Sequence, residues 1–271
     1  MSLRIEDLFS VRGKVALVTG AATGIGRMIA QGLVDNGVKV YIASRKLDAC
    51  QAVAAELSKA GGTCIALQVD VGHAKSVKAL AAEIARREAK LHILVNNVGA
   101  GWAQPIDQYS EDGWDKVMTL NVTAPFFLTK ALLPPLRAAA TADDPARIVN
   151  MGSTAGIETM LSNNFAYGPS KAALHHLTRT LARNLAGEHI TVNAIAPGPF
   201  PSRMMKASEL PVFTRDVPLG RAGTAADAAG SVIYLCSRAG AYTTGVILAV
   251  DGGKLTNTSA APARPRTPRV P

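Results

Sequence analysis

The sequence contains few cysteines and few aromatic side chains, and each shortage argues against a class of protein. Cys50, Cys64 and Cys236 are odd in number and lack C-x-x-C spacing, so neither a disulfide framework nor a zinc site is predicted. We expect all three to be small core residues. Aromatic residues make up only 5% of the chain, which leaves no platform on which nucleic-acid bases would stack.

Long hydrophobic runs are also absent. No apolar stretch approaches the roughly 20 residues that cross a bilayer. The first 12 residues mix acidic and basic side chains with apolar ones, unlike a signal peptide. We therefore expect a cytoplasmic protein without a membrane partner.

Signatures of two other enzyme classes are missing. The chain around Ser153 lacks the G-x-S-x-G turn of serine hydrolases. His175 and His176 are not part of an H-E-x-x-H pattern, so no metal site is predicted. We interpret these two histidines as interface or surface residues.

Acidic residues are fewer than basic ones, which gives a formal net charge of +9 at pH 7. Four of the positive charges lie in the last 18 residues, where there is no acid: Lys254, Arg264, Arg266 and Arg269. The others are spread along the chain without forming a basic helix. This distribution favours a solvated surface that attracts anionic ligands over a nucleic-acid interface.

The length of 271 residues suits one large α/β domain better than two domains. We predict a single domain over residues 1–255. The tail, residues 256–271, is rich in proline and arginine and has no periodicity. We expect it to be extended or disordered unless a neighbouring subunit holds it.

Short β-rich apolar runs alternate with longer segments of helical periodicity. The runs predict seven strands, at residues 15–18, 38–43, 64–69, 93–95, 148–151, 192–196 and 246–250. The intervening segments predict helices at residues 24–36, 48–60, 74–89, 111–136, 167–186 and 225–235. Because the strands are continuously apolar, this order predicts an α/β fold with a doubly wound, seven-stranded parallel sheet and helices on both faces.

A glycine-rich turn directly follows the first strand. Residues 19–26 read T-G-A-A-T-G-I-G and open an apolar helix. Such a turn presents backbone N–H groups and the positive end of a helix dipole to a pyrophosphate, and its glycines permit close approach. We predict a dinucleotide site here, formed by Gly20, Thr23, Gly24, Ile25 and Gly26. A purely structural turn is the alternative, which the position between strand and helix disfavours.

The end of the second strand predicts which dinucleotide binds. An acid at this point selects NAD, whereas an arginine accommodates the 2′-phosphate of NADP. The chain reads Ser44-Arg45-Lys46, with no carboxylate before Asp48. Two cations and a hydroxyl suit a phosphate, so the predicted cofactor is NADP(H). Alternatively, Arg45 and Lys46 only begin a surface helix.

Tyr167 and Lys171 are four residues apart at the start of a predicted helix, which places them on one face. A tyrosine has a pKa near 10, so exchanging a proton at neutral pH requires positive charge nearby. Lys171 and an oxidised nicotinamide are candidates to supply it. A Tyr/Lys pair at this spacing also arises by chance, so the interpretation depends on the surrounding motifs.

Together these motifs resemble the short-chain dehydrogenase/reductase family, over residues 13–253. The glycine turn, N-N-V-G at 96–99 and Y-G-P-S-K at 167–171 carry the resemblance. It implies a Rossmann fold, with a catalytic tetrad at Asn121, Ser153, Tyr167 and Lys171. It also implies cofactor contacts from the following residues: Asp70, Val71, Asn97, Gly99, Pro197, Gly198, Phe200 and Ser202, together with Tyr167 and Lys171.

The resemblance also implies a role for each member of the tetrad. Ser153 orients the carbonyl oxygen and Tyr167 donates the proton. Lys171 holds the ribose hydroxyls and favours the tyrosinate, and Asn121 holds a water of the proton relay. Taken singly, Ser153 is equally a loop cap and Asn121 a polar helix residue.

Three departures from the family pattern concern the cofactor and substrate loops. Thr23 stands where many NADP-preferring members have arginine, so the 2′-phosphate argument rests on Ser44 and Arg45. Ser202 replaces a common threonine; its hydroxyl can still bind the nicotinamide carboxamide. Ser153 precedes Tyr167 by 14 positions, one more than in many members.

Within the family, Y-G-P-S-K-A-A-L-H and A-P-G-P-F-P-S-R are most similar to 3-oxoacyl-[acyl-carrier-protein] reductases, including those of rhamnolipid synthesis. The predicted function is NADPH-dependent reduction of a 3-oxoacyl or other apolar ketone, with a substrate that is free or linked to carrier protein or CoA. Two alternatives stay open: an oxidative dehydrogenase of a sterol, sugar or secondary alcohol, and a non-catalytic nucleotide-binding regulator. The family usually forms tetramers through its two long helices, so we expect a homotetramer or homodimer.

Residues 198–223 form a proline-containing segment after the sixth strand, which we predict to be a lid. Its apolar residues, with Trp102, favour an apolar substrate, although they equally suit packing: Phe200, Met204, Met205, Leu210, Val212 and Phe213. Its basic residues are candidates to contact a phosphopantetheine or a carrier-protein acid: Arg203, Lys206 and Arg215.

Overall fold

A computed structural model describes residues 2–59, 61–159, 162–202, 205 and 207–256. Three predicted lid residues, Arg203, Met204 and Lys206, lie outside the described residues. The predicted C-terminal tail lies outside them as well, except for Thr256.

A parallel sheet of seven strands, in the order β3-β2-β1-β4-β5-β6-β7, forms the centre of the described structure. Its strands are β1 Val15–Thr19, β2 Lys39–Ser44, β3 Thr63–Gln68, β4 Ile93–Asn96, β5 Ala146–Met151, β6 Ile190–Pro197 and β7 Ile247–Val250. Each predicted strand is present. The order reverses between β1 and β4, so a crevice opens where these two strands end, the usual ligand position in such sheets.

Helices cover both faces of this sheet. They are α1 Ile5–Leu8, α2 Gly24–Asp35, α3 Leu47–Ser58, α4 Ala74–Arg87, α5 Glu111–Met118, α6 Ala124–Ala139, α7 Tyr167–Leu185, α8 Leu210–Phe213 and α9 Ala225–Cys236. One core lies between the sheet and α2, α3 and α9. A second lies between the sheet and α4, α6 and α7. The predicted doubly wound α/β fold is therefore confirmed.

The long helix predicted at 111–136 is interrupted by a π turn, Thr119–Thr123, between α5 and α6. It also continues to Ala139, three residues beyond the predicted end at residue 136. By length and composition the whole helix could cross a membrane. Its leucines Leu128, Leu132 and Leu136 are instead buried against the sheet, as in the core helix of a globular domain.

Hydrogen bonds between buried polar side chains join α7 to strands β4 and β5. The Asn96 side chain donates to Asn150 Oδ1 over 2.9 Å, and Asn150 Nδ2 donates to Thr178 Oγ1 over 2.9 Å. These residues belong to β4, β5 and α7, and they are fully or almost fully buried. Buried hydrogen bonds of this kind favour one arrangement of the elements, so they hold α7 against the strand ends.

Candidate active site

The predicted site residues gather at the carboxyl ends of the strands. The glycine turn follows β1, Asn97 follows β4, and Ser153 follows β5, while Tyr167 opens α7. The fold thus brings residues from four distant parts of the sequence to the crevice between β1 and β4.

The glycine turn has a conformation and a packing that side chains would prevent. Gly20 and Gly24 have φ of +68° and +58°, in the left-handed region that favours glycine. A Cβ at Gly26 would lie 2.4 Å from Asn97 Nδ2 and 2.7 Å from the Gly20 carbonyl oxygen. The Thr23 side chain makes no capping hydrogen bond to α2, so the first N–H groups of this helix can bind an anion.

Thr19 and Asn97 brace this turn. Thr19 Oγ1 accepts the backbone N–H of Asn97 over 3.0 Å, and Asn97 Nδ2 donates to the Thr19 carbonyl oxygen over 2.9 Å. Asn97 is predicted to contact the cofactor, and that contact stays a prediction. Its side chain has a structural function, because it ties the end of β4 to the glycine turn.

The end of β2 lies beside the same turn, because the Gly20 N–H donates to the Ala43 carbonyl oxygen over 2.7 Å. Ser44 Oγ accepts the Lys46 N–H and the Cys50 S–H, each over 3.2 Å. Arg45 and Lys46 are exposed. The three predicted 2′-phosphate ligands therefore lie at the carboxyl end of β2, beside the glycine turn. Two of them, Arg45 and Lys46, present positive charges to solvent.

Asp70 and Val71 follow β3, next to β2. Asp70 Oδ1 accepts the Gly72 N–H over 3.0 Å, and the Asp70 N–H donates to Ser76 Oγ over 2.9 Å. Val71 is buried. The carboxylate thus holds a tight turn at the edge of the crevice, where the resemblance implies an adenine contact.

Tyr167 and Lys171 share one face of α7, with the Lys171 ammonium 5.7 Å from the centre of the Tyr167 ring. The Ser153 side chain lies close enough to the Tyr167 hydroxyl to lower its pKa, and Ser153 Oγ accepts the Ala155 N–H over 3.2 Å. Lys171 Nζ donates to the Met151 carbonyl oxygen over 2.7 Å. Three members of the predicted tetrad therefore lie together at the end of β5.

The pKa of Tyr167 is raised above its ordinary value near 10, chiefly because the phenol is desolvated by burial, while Ser153 acts in the opposite direction. This direction differs from the lowering that a neighbouring ammonium would produce by itself. Burial raises the pKa because it disfavours the charged phenolate. Tyr167 is consequently protonated at neutral pH, which suits a proton donor.

Lys171 is 3% exposed, and burial lowers its pKa to about 8. A Cβ at Gly99 would lie 3.3 Å from Lys171 Nζ and 3.2 Å from Asn121 Oδ1. Gly99 therefore leaves room for both side chains in the crevice. The ammonium is close to its titration point at neutral pH.

Asn121 is fully buried in the π turn. Its Nδ2 donates to the Ala100 carbonyl oxygen and to Ser170 Oγ, each over 2.9 Å, and its Oδ1 accepts the Ala100 N–H over 2.8 Å. Asn121 thus joins the loop after β4 to α7. Its contact with a water of the proton relay stays a prediction.

The segment predicted as a lid begins with residues that pack inward. The Gly198 N–H donates to the Val250 carbonyl oxygen over 3.0 Å. This hydrogen bond joins the first residue after β6 to the end of β7. Phe200 is 4% exposed and occupies the space beside Gly223, where a Cβ would lie 2.2 Å from its ring. Its ring therefore belongs to the core, and a cofactor contact by Phe200 stays a prediction.

Ser202 and Trp102 border the crevice on opposite sides. Ser202 Cβ is 3.2 Å from the position of a Cβ at Gly24, so Ser202 lies against the glycine turn. The Trp102 ring packs on Gly113 of α5, and its indole N–H donates to Gln104 over 2.8 Å. Packing, the alternative role for this tryptophan, is therefore the one that these contacts support.

These residues fit a dinucleotide that carries a 2′-phosphate. The glycine turn leaves the start of α2 without a side-chain cap, and the end of β2 supplies two cations with no carboxylate before Asp48 in the sequence. Ser153, Tyr167 and Lys171 lie at the next strand ends, where a redox-active ring reaches from such a site.

Comparison with known proteins agrees with this geometry. A short-chain dehydrogenase/reductase family model, described as Enoyl-(Acyl carrier protein) reductase, matches residues 20–254. The rhamnolipids biosynthesis 3-oxoacyl-[acyl-carrier-protein] reductase of Pseudomonas aeruginosa is 47% identical over 92% of this chain and 99% of its own length. The galactitol 2-dehydrogenase (L-tagatose-forming) of Cereibacter sphaeroides is 36% identical over 92% and 97%.

The solved structure of the Pseudomonas aeruginosa RhlG/NADP active-site complex has a TM-score of 0.88 and 46% identity, and covers 91% of this chain and 98% of its own. These matches span the sheet, the glycine turn and the Tyr167/Lys171 pair. The chain therefore belongs to the short-chain dehydrogenase/reductase family of oxidoreductases.

Proposed function

We propose that this enzyme reduces the ketone of a 3-oxoacyl group, carried on acyl carrier protein or CoA, to a secondary alcohol with NADPH. The observation that carries the proposal is the placement of Tyr167 at the crevice, beside Ser153 and with its ring centre 5.7 Å from the Lys171 ammonium. The 47% identity to a 3-oxoacyl-[acyl-carrier-protein] reductase supports the substrate class.

The proposed chemistry divides between the side chains. When bound, NADPH supplies the hydride for the carbonyl carbon. The Ser153 hydroxyl donates a hydrogen bond to the carbonyl oxygen, and the Tyr167 hydroxyl transfers its proton to that oxygen. The Lys171 ammonium stabilises the phenolate that results, and Asn121 keeps the loop after β4 against α7.

Catalysis is expected to weaken as pH rises through the pKa of Lys171, about 8. Above that pH the side chain loses its charge, whereas Tyr167 keeps its proton because its pKa is raised. We expect kcat/KM for ketone reduction to fall about tenfold between pH 7 and pH 9. Lys171→Arg should remove most of this fall in kcat/KM, because a guanidinium stays protonated. A wild-type kcat/KM that stays constant up to pH 9.5 would contradict the role given to the Lys171 ammonium.

The preference for NADPH is assigned to Ser44, Arg45 and Lys46. Arg45→Glu should reduce kcat/KM for NADPH by about 30-fold, since hydrogen bonds to charged groups contribute roughly 1.5–3 kcal/mol, and leave NADH turnover unchanged or higher. Lys59→Glu makes the same charge change at the other end of α3. It should change neither kcat/KM for NADPH nor turnover with NADH. Equal losses with both cofactors would show that Arg45 does not bind the 2′-phosphate.

We propose a homotetramer or homodimer. Trp114, Phe126 and Phe127 are 42%, 38% and 47% exposed along α5 and α6, and such apolar surface favours association. Multi-angle light scattering should give a mass that is a multiple of 28.2 kDa. A monomeric mass at micromolar concentration would refute the proposal.

The remaining proposals concern domain, lid and location. Residues 1–255 act as one catalytic domain, the segment 198–223 closes over the acyl chain, and the enzyme acts in the cytoplasm, where carrier-protein substrates occur. The exposed Val212 and Phe213 suit contact with an acyl group.

A substrate panel tests the proposed function. We expect NADPH oxidation with 3-oxoacyl thioesters, followed by absorbance, to exceed that with ketosugars and to exceed polyol oxidation with NADP+. Polyols are included because the chain is 36% identical to a galactitol 2-dehydrogenase. Turnover of polyols alone would replace the reductase assignment with that of an oxidative dehydrogenase.

A further inference from the structure

His175 lies one turn beyond Lys171 on α7, beneath the turn that carries Ser153. It is 4% exposed, although the sequence analysis places it at the surface or at an interface. The neighbouring His176 is exposed. The two adjacent histidines therefore occupy opposite environments, and the buried one has no function in the proposed chemistry.

The imidazole fills the space between two glycines that bracket Ser153. A Cβ at Gly152 would lie 2.2 Å from His175 Nε2, and a Cβ at Gly156 would lie 2.8 Å from His175 Cε1. The Gly156 backbone acts on the imidazole as a nearby carbonyl oxygen would, since it raises the pKa of the ring. Nε2 has no hydrogen-bond partner among the described residues, which leaves Nδ1 as the nitrogen that can donate to Gly156.

The turn 152–156 is held at both of its ends. At its first residue, the Gly152 N–H donates to the Ile195 carbonyl oxygen over 2.7 Å, which fixes the turn to β6. At its last residue, Gly156 contacts the His175 ring and the α7 backbone. Because glycine backbone is conformationally free, the His175 ring and the α7 backbone together restrict the turn on this side.

Burial and the charge of Lys171 lower the pKa of His175 to about 4. The other charged group that acts on it is Arg179 of the same helix. The ring is consequently neutral at neutral pH, with its proton on Nδ1. A neutral ring contacts the turn without placing a second cation beside Lys171.

We infer that His175 is a positioning residue for ketone reduction, whose imidazole holds the 152–156 turn and so sets the Ser153 hydroxyl against Tyr167. The inference rests on the proposed function, in which Ser153 orients the carbonyl oxygen. His175 would therefore influence the rate of the chemical step without contacting the substrate.

Three single variants test this inference in the full-length enzyme. His175→Leu fills the space without a donor and should lower kcat about 30-fold, less than the loss of a donor that contacts the reacting oxygen. His175→Asn retains an N–H near the Nδ1 position and should stay within about threefold of wild type. His176→Leu is the matched control and should change nothing. NADPH affinity, measured by fluorescence titration, should stay within threefold for every variant.

A double-mutant cycle separates positioning from general destabilisation. If His175 acts through Ser153, His175→Leu in a Ser153→Ala background should lower kcat by less than about threefold more, because the two effects are coupled. Product accumulated over hours and measured by mass spectrometry makes the low rates accessible. Multiplicative losses, a normal kcat for His175→Leu, or lost NADPH affinity would each overturn the inference. Unchanged reduction by Tyr167→Phe would instead overturn the proposed function.

Discussion

Replacement of Tyr167 by phenylalanine is expected to lower kcat for ketone reduction about 10³-fold, within the range of general acid catalysis. In the proposed reaction the phenol is the proton donor, and it lies beside Ser153, the proposed hydrogen-bond donor to the carbonyl oxygen. Phenylalanine keeps the ring beside Lys171, so the packing at the start of α7 is retained. NADPH affinity and the melting temperature should change little.

Stopped-flow or steady-state absorbance at saturating NADPH measures this loss. The matched control is Tyr234→Phe, which removes a hydroxyl that contacts Thr243 over 3.2 Å, away from the crevice, and should leave kcat unchanged. Wild-type reduction by Tyr167→Phe would leave only a nucleotide-binding function for this chain.

Gly26→Ala is expected to reduce NADPH affinity at least about 100-fold, a loss of roughly 2.7 kcal/mol of binding free energy. The added Cβ would lie 2.4 Å from Asn97 Nδ2 and 2.7 Å from the Gly20 carbonyl oxygen. One of these atoms belongs to the backbone of the phosphate turn, so the turn itself must move. Overpacking of this kind also lowers the free energy of unfolding by about 1–3 kcal/mol.

Gly230→Ala is the control for helix propensity. Gly230 lies in the interior of α9 with open space around the position of a Cβ among the described residues. Alanine there should raise the free energy of unfolding by up to about 1 kcal/mol. NADPH titration and thermal denaturation of both variants decide the matter; wild-type affinity in Gly26→Ala would show that the turn does not bind the pyrophosphate.

The predicted fold is confirmed to within a few residues of each strand, because the strands are buried on both faces and read as unbroken apolar runs. The glycine turn was also predictable from the sequence. The positive φ at Gly20 and Gly24 and the close packing at Gly26 both favour glycine. By contrast, the π turn at 119–123 leaves no local signal in an apolar helical pattern. It depends on how α5 and α6 pack on the sheet, and it is what buries Asn121.

The resemblance to the family also implied which residues lie together at the strand ends. It could not predict what each side chain contacts. Phe200 packs in the core, Asn97 braces the glycine turn, and His175 lies beneath Ser153 rather than at the surface. These outcomes depend on contacts between residues far apart in the chain.

By itself, the sequence determined the seven strands of an α/β domain, the dinucleotide turn and the Tyr167/Lys171 pair, because periodicity and short spacings are properties of neighbouring residues. Only the tertiary structure decided the ionisation of the site. Burial raises the pKa of Tyr167 and lowers that of Lys171, and burial is set by everything that packs around a group. The chemistry that this crevice can perform therefore depends on the whole fold as well as on its motif.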